Sequence, residues 1–390
     1  MDGTFSPADN AFRLEVRDWL HDNVPRGARP YEPVDARAFD LGWQRTMFDG
    51  DWAGISWPTE YGGRGLSLIQ QMIWHEEYAR ARAPYVGVNF VGLNHAGPTL
   101  IMNGTDAQKA THLPRVLRGE VVWCQGFSEP GSGSDLASLR TRAVIDGDHL
   151  VVNGQKVWTS FGDVADFQEL LVRTDPAATK HKGITWVICD MRTPGITVRP
   201  IVTMAGTRDF CEVFYDEVRI PIANVVGGLG EGWRVANSTL SFERGTAYLS
   251  QQIDLARTLE SLIELAGEWT GPGYRPLIVD DEFSRRIAEV RAQVTAMRAM
   301  SYASVSRAAT QAQPGPEGSI IRLYFTQLQQ SVYRLAMDML GHRQLKVGAA
   351  GSWPYYYLYS FSRTIAGGSQ EIQRNIIGER VLGLPRGARQ

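Results

Sequence analysis

HLVVNGQKVWTS at His149–Ser160, ITWVICDM at Ile184–Met191, ITVRPIV at Ile196–Val202 and CEVFYDEVRI at Cys211–Ile220 are β-rich runs bounded by Gly, Pro or Asp. They follow one another at close spacing without intervening helices, which indicates an antiparallel barrel or sandwich and not a parallel sheet. Asn153-Gly154 divides the first run, and that dipeptide between β-rich stretches is the strongest short-range hairpin signal, so a turn is expected there.

On either side the periodicity is helical. From about Pro7 to Gly119, helices are broken by Gly/Pro-rich loops such as Gly54 to Gly65, and Phe12, Val16 and Leu20 recur at helical spacing. Thr105 followed by Gln108 reads as a capping box that opens a short helix. From Gly232 onward the pattern predicts long helices over Gly232–Trp269, Asp281–Gln313 and Ser319–Leu340, then shorter ones over Trp353–Ile365 and Ser369–Val381. Gly271-Pro272-Gly273 and Pro314-Gly315-Pro316 punctuate them, the arrangement of an up-and-down bundle. The expected fold is thus α+β and multidomain: an N-terminal helical domain at 1–120, a middle antiparallel β domain at 121–226 and a C-terminal helical bundle at 227–390.

Bulk composition excludes several classes. The chain has 390 residues, 43% hydrophobic and 21% charged, enough for ordinary globular cores in two or three domains. A net charge of −2 steers it to neither nucleic acid nor an anionic membrane. Cys124, Cys189 and Cys211 are odd in number and far apart, which argues against a disulfide framework and fits a reducing cytoplasm. No run approaches the ~18 uninterrupted apolar residues of a membrane span, and MDGTFSPADNAF has no apolar signal-peptide core. The histidines show neither HxxxH nor HxH pairing, so no metal site is argued.

Two glycine-rich stretches invite a phosphate-binding reading. Gly227-Gly228-Leu229-Gly230-Glu231-Gly232 opens a helix, but no strand–helix–strand unit surrounds it, and it reads as a linker. Phe127-Ser128-Glu129-Pro130-Gly131-Ser132-Gly133-Ser134-Asp135 packs glycines and hydroxyls into a loop leaving a strand; such loops donate backbone N–H bonds to phosphates, or are plain loops.

At that loop the chain resembles a family. WCQGFSEPGSGSDLASLRTRA (Trp123–Ala143) is similar to the first signature of the acyl-CoA dehydrogenases, and IAGGSQEIQRNIIGERVLGLPR (Ile365–Arg386) to the second. DGDHLVVNGQKVWTS, WPTEYGGRGLS and GTDAQKATHLP also match, in order, so the resemblance spans nearly the whole chain. It implies the same three-part fold, FAD as cofactor, an acyl-CoA substrate, an electron-transfer flavoprotein as acceptor, and a homodimer or homotetramer. Carried over by position, it implies that Phe127 and Ser128 lie along the isoalloxazine. Gly133 and Ser134 would sit near the pyrophosphate, with Ser134 also near the coenzyme A arm. Trp158 would pack on the flavin face opposite the substrate, and Ser160 would bond close to N5. Ser369 and Glu371 would approach the adenosine half.

The chemistry needs a carboxylate to take an α-proton while the developing enolate is stabilised. Many members carry a glutamate just before Gly-Ser in the second signature; here that position is Gly367, which cannot take a proton. Isovaleryl and long-chain types instead place the base before an arginine on the first long bundle helix, and Glu243-Arg244 in LSFERGTAY matches that arrangement. Any Glu-Arg pair is more commonly a solvated helix feature; the vacancy at Gly367 favours the catalytic reading. Gly367 then leaves room for a carboxylate from the opposite wall, avoids two like charges, and keeps its N–H for the thioester oxygen. Arg244 would order the helix, the subunit contact or the substrate.

Two segments depart from the pattern. Asp280 stands where an arginine would precede Phe283, and Met337-Asp338-Met339-Leu340-Gly341-His342 replaces a Gln-x-x-Gly-Gly segment that cradles the neighbour's FAD. A heteromeric assembly is therefore possible. A flavin monooxygenase on the same fold and a non-catalytic partner subunit stand as rival readings.

Overall fold

The computed structural model describes residues 5–242, 247–310, 316–341 and 351–385. Helices α1 (Pro7–Asn23), α2 (Pro33–Asp49), α3 (Leu68–Arg80), α4 (Gly97–Asn103) and α5 (Asp106–Leu117) come first. A reciprocal capping box between Ser6 and Asp9 starts α1, and Phe12, Val16 and Leu20 are its buried stripe, as the spacing predicts. The expected Thr105–Gln108 box opens α5. A single π-helical turn at Gly92–Ala96 feeds directly into α4.

Strands β1 (Trp123–Gly126), β2 (Arg142–Asp146), β3 (His149–Ser160), β4 (Phe167–Arg173), β5 (Ile184–Asp190), β6 (Ile196–Ile201), β7 (Phe210–Pro221) and β8 (Val225–Val226) form one eight-stranded sheet. The order is β6-β7-β3-β2-β4-β5-β8, with β1 alongside β4. Most pairs are antiparallel, as expected, but β1 and β2 both run parallel to β4, pairings the strand spacing alone does not reveal.

The hairpin expected at Asn153-Gly154 is absent. The dipeptide lies inside β3, at a bulge opposite β7, and the chain reverses instead between β2 and β3 at Gly147, where φ is 61°. A Cβ on Gly154 would stand 2.7 Å from the Thr141 Cα, and Asn153 exchanges two hydrogen bonds with Glu217, at 2.7 and 3.0 Å. The dipeptide serves a close approach and a bulge, both of which favour the same residues as a turn.

The C-terminal region holds α6 (Gly232–Phe242), α7 (Ala247–Glu268), α8 (Asp281–Thr310), α9 (Gly318–Leu340), α10 (Trp353–Arg363) and α11 (Gln370–Ile376). The single helix expected over Gly232–Trp269 is described as α6 and α7, with 243–246 outside the described residues. Leu259, Leu262, Met297, Phe325, Leu328 and Val332 are among the buried residues that join α7, α8 and α9. A second core crosses the region boundaries: Trp57 of the α2–α3 loop and Leu113 and Leu117 of α5 meet Trp123 and Trp186 of the sheet, Phe127 just after β1, and Val235 of α6. Among the described residues no helix is long and apolar enough to cross a membrane.

The glycine-rich stretch before α6 acts as a tight connector. Gly227, Gly228 and Gly230 have φ of 76°, 110° and 76°, and a Cβ on Gly232 would meet the Thr185 backbone at 2.5 Å. The first turn of α6 therefore rests on β5 with no room for a side chain. Gly232→Ala should destabilise the fold by about 1–3 kcal/mol through this overlap; an unchanged thermal midpoint would show that the helix shifts freely.

His112 of α5 stands edge-on to Trp123 and Phe167, with ring centroids 5.2 and 5.0 Å away. Burial, then the nearby Arg115, pull its pKa from 6.5 down to about 4. A histidine held neutral in this way stabilises the fold fully above its ordinary value, and the contribution fades as pH falls from about 6.5 toward 4. Denaturation midpoints over that interval should fall more steeply for the native chain than for His112→Phe; parallel curves would remove this imidazole as the cause.

Candidate functional site

Two chain segments meet at the mouth of the sheet. β1 ends at Gly126, where a Cβ would strike the Gln168 side chain at 2.6 Å, so the strand leaves pressed against β4. Phe127 turns into the shared core and Ser128 is half-buried. From Pro130 to Asp135 the chain is exposed apart from Ser132, and both Gly131 and Gly133 have open space where a side chain would begin. Ser134 is exposed on that loop.

The facing segment is the end of β3. Its register slips between Lys156 and Thr159, and Trp158 adopts a left-handed φ of 62°. This bulge turns the indole outward: Trp158 is 59% exposed between buried Val157 and Thr159, touching Phe210 edge-on at 6.2 Å. An exposed tryptophan on a strained backbone is unusual for a plain sheet and typical of a ligand face. Ser160, half-buried, pairs with Phe210. The Val157 N–H donates to the Ser128 carbonyl at 3.0 Å, which brings Phe127 and Ser128 beside Trp158 and Ser160.

Behind this junction lies a fully buried lysine. Lys156 Nζ donates to the Phe127 carbonyl at 3.0 Å and to Glu129 Oε1 at 2.8 Å. The Glu129 carboxylate also accepts from the N–H groups of Arg140 at 2.6 Å and Thr141 at 2.8 Å. Burial draws the Lys156 ammonium down to about 8, against the opposing pull of Glu129. Burial pushes the Glu129 carboxyl up, and Lys156 with the two N–H donors more than reverses it, leaving Glu129 below the ordinary carboxylate range.

A second polar group sits one register step before Phe127. Gln125 of β1 pairs with Glu169 of β4, and its Nε2 donates to Glu169 Oε1 at 2.8 Å. His95, in the π-helical turn, places Nδ1 3.3 Å from the same oxygen. Neither group was predicted. Each depends on tertiary folding that joins residues 27 to 74 positions apart.

The remaining predicted residues lie on the bundle or outside the described chain. Gly367 and Gly368 have left-handed φ of 63° and 99°, and the Gly367 carbonyl accepts from Gln373 at 2.9 Å. Ser369 caps α11 by accepting from the Ile372 N–H at 3.4 Å. Glu371 is exposed in the first turn, its carboxyl held low by its own backbone N–H and by Ser369. Among the described residues no hydrogen bond or ion pair joins this segment to the Phe127–Ser160 junction. Glu243, Arg244 and His342 lie outside the described residues. One turn before Glu243 in sequence, Thr239 of α6 meets Thr99 of α4 oxygen to oxygen at 2.8 Å, both fully buried.

The two departing segments have local explanations. Asp280 caps α8 by accepting from the Glu282 and Phe283 N–H groups at 3.1 and 3.2 Å. Asp338 of α9 pairs with Arg286 of α8 at 2.5 Å.

Against known proteins, residues 6–120, 124–218 and 230–382 match the N-terminal, middle and C-terminal domains of acyl-CoA dehydrogenases. The chain is 41% identical to the acyl-CoA dehydrogenase IpdE1 of Mycobacterium tuberculosis, over 97% of this chain and 98% of that one. The ChsE4-ChsE5 complex from the same organism superposes with a TM-score of 0.83 at 34% identity, covering 99% of this chain and 100% of the compared one. The Tcur3481-Tcur3483 steroid ACAD gives 0.83 at 30% identity with the same coverage. With family matches across all three regions, the chain belongs to the acyl-CoA dehydrogenases, flavoprotein oxidoreductases that dehydrogenate acyl-CoA thioesters.

Proposed function

We propose that this chain binds FAD at the Phe127–Ser160 junction and dehydrogenates the Cα–Cβ bond of an acyl-CoA thioester to the trans-2-enoyl product, with Glu243 as base. The observation that carries the reading is the exposed Trp158 on its bulge, one residue from the Val157 N–H that ties β3 to Ser128 at the start of an open glycine loop. A planar ring system fits there: the indole offers a flat apolar wall, Ser128 and Ser160 offer polar edges, and the space at Gly131 and Gly133 admits a phosphate close to the backbone.

FAD held there by Phe127, Ser128, Trp158 and Ser160 would supply the acceptor for the hydride leaving Cβ. Glu243 takes the α-proton as general base, from the bundle side of the site. The Gly367 N–H donates to the thioester oxygen, where negative charge develops. Ser134 contacts the pyrophosphate and the coenzyme A arm, with Arg244 on the substrate side; Ser369 and Glu371 approach the adenosine half. An electron-transfer flavoprotein takes the electrons onward. A base aimed at Cα is what sets this apart from a flavin monooxygenase on the same fold.

Glycine at 367 leaves space for a bulky acyl group, and two solved relatives are named as a steroid ACAD and as a two-chain complex. On that basis the substrate is a thioester with a branched or polycyclic acyl part, and the working assembly pairs this chain with a second, different subunit. Asp280 and Asp338 support the pairing. Carboxylates stand where the family pattern puts groups that meet the neighbour's FAD, and a carboxylate repels a pyrophosphate.

Anaerobic titration with a panel of acyl-CoA thioesters, read by flavin absorbance, tests both parts. Glu243→Gln should retain FAD, abolish bleaching by substrate and lower turnover by about 10²-fold or more; bleaching at the native rate would remove Glu243 from the mechanism. Native mass measurement with flavin quantitation should find a heteromer; a homomer carrying one FAD per chain would overturn the pairing.

A further inference from the structure

On the reading that Phe127, Ser128, Trp158 and Ser160 flank the flavin, we infer that the buried Lys156–Glu129 pair is the clamp that sets the spacing between the two walls of the FAD site, Lys156 acting as a positioning residue.

A lysine shut away from water carries a desolvation cost of several kcal/mol, which an ion pair repays only with good geometry and further hydrogen bonds. Lys156 lies in a strand whose interior faces an apolar core, where an unbranched apolar side chain of similar length would pack without that cost. What the charge adds is connection. Its ammonium bonds the carbonyl of the residue before Ser128 and the carboxylate of the residue after it, while the next residue, Val157, donates to the Ser128 carbonyl itself. Three consecutive residues of the loop are thereby tied to two consecutive residues of β3.

The tie is extended at both ends. On the loop side, the Glu129 carboxylate holds the Arg140 and Thr141 N–H groups, so the whole loop from Phe127 to Thr141 is closed on one side chain. Its interior is braced by the paired Glu129 and Ser132 backbones, at 2.9 and 3.0 Å. On the strand side, the bulge that exposes Trp158 begins directly after Lys156. Moving the ammonium shifts the loop and the bulge relative to each other, and so the gap between Ser128 and Trp158. The charge makes both bonds, to the backbone carbonyl and to the carboxylate, shorter and stronger than a neutral donor would make them.

The test compares Lys156→Met, Glu129→Gln and the double variant, each in the assembled protein. FAD affinity is measured by flavin fluorescence, the environment of bound FAD by its visible circular dichroism, and folding by the thermal midpoint of the apoprotein. Lys156→Met should weaken FAD binding by about tenfold or more, as loss of a supporting contact does at other cofactor sites, and should change the dichroism of the flavin that remains. The double variant removes both charges, so its thermal midpoint should return toward the native value while its FAD affinity stays low. That split separates positioning from plain stability, and it holds even if Lys156→Met alone folds poorly. Native FAD affinity and dichroism in the double variant would overturn the clamp. Trp158→Ala serves as the reference: if it alters the flavin signal and the clamp variants do not, only the clamp fails. If Trp158→Ala also leaves affinity and dichroism untouched, the site reading fails with it.

Discussion

The architecture depends on one hydrophobic core that ignores the boundaries between its three regions. Trp57 and Leu117 from the N-terminal region, Trp123 and Trp186 from the sheet, and Val235 from α6 are buried together. Because Phe127 belongs to the same cluster, the loop that follows it starts from a fixed point. Phe127 thus belongs both to this core and to the start of the proposed cofactor wall. Burial of aromatics on this scale is worth several kcal/mol in aggregate, which is what allows strain to be held nearby.

That strain is local and polar. β3 enters the sheet as an ordinary strand, with Leu150 and Val152 facing the core, and then breaks its alternation within four residues: Lys156 inside, Trp158 outside on a left-handed backbone. The buried charge and the exposed indole are inversions of the normal rule, in opposite directions, two residues apart. Either one alone would be a defect in a sheet. Together they describe a strand end that has traded regular pairing for a surface on one side and an anchor on the other.

Much of the fold was legible because it follows from local rules. The stripe Phe12–Val16–Leu20 and the Thr105–Gln108 box are set within single helices, and the structure repeats both. Reading failed where the same residues satisfy two different demands. Asn153-Gly154 favours a hairpin, but a bulge needs an asparagine to bond across the sheet and a glycine where Thr141 approaches, so the dipeptide alone cannot discriminate. The site was legible in the same uneven way. Trp158 and Ser128 stood out through a resemblance, whereas the sequence assigned no individual role to Lys156 or Glu129. Their pairing across 27 positions depends on where the Phe127–Thr141 loop folds back onto β3.

Asp280 and Asp338 show how a departure from a family pattern becomes intelligible once its neighbours are known. Each carboxylate is engaged within its own chain, one by two N–H groups at the start of α8 and the other by Arg286 of that helix. Neither is idle: Asp280, where the pattern has an arginine, caps α8, and Asp338, in the segment that replaces Gln-x-x-Gly-Gly, pairs with Arg286. A chain altered in this way on the face proposed to meet its neighbour's cofactor has no electrostatic reason to serve an identical neighbour. It can still keep a complete loop and strand end for its own. Under the proposed function, the consequence would be an asymmetric division of labour, in which the Phe127–Ser160 junction serves this chain's own FAD while the reciprocal contact to a second FAD is given up.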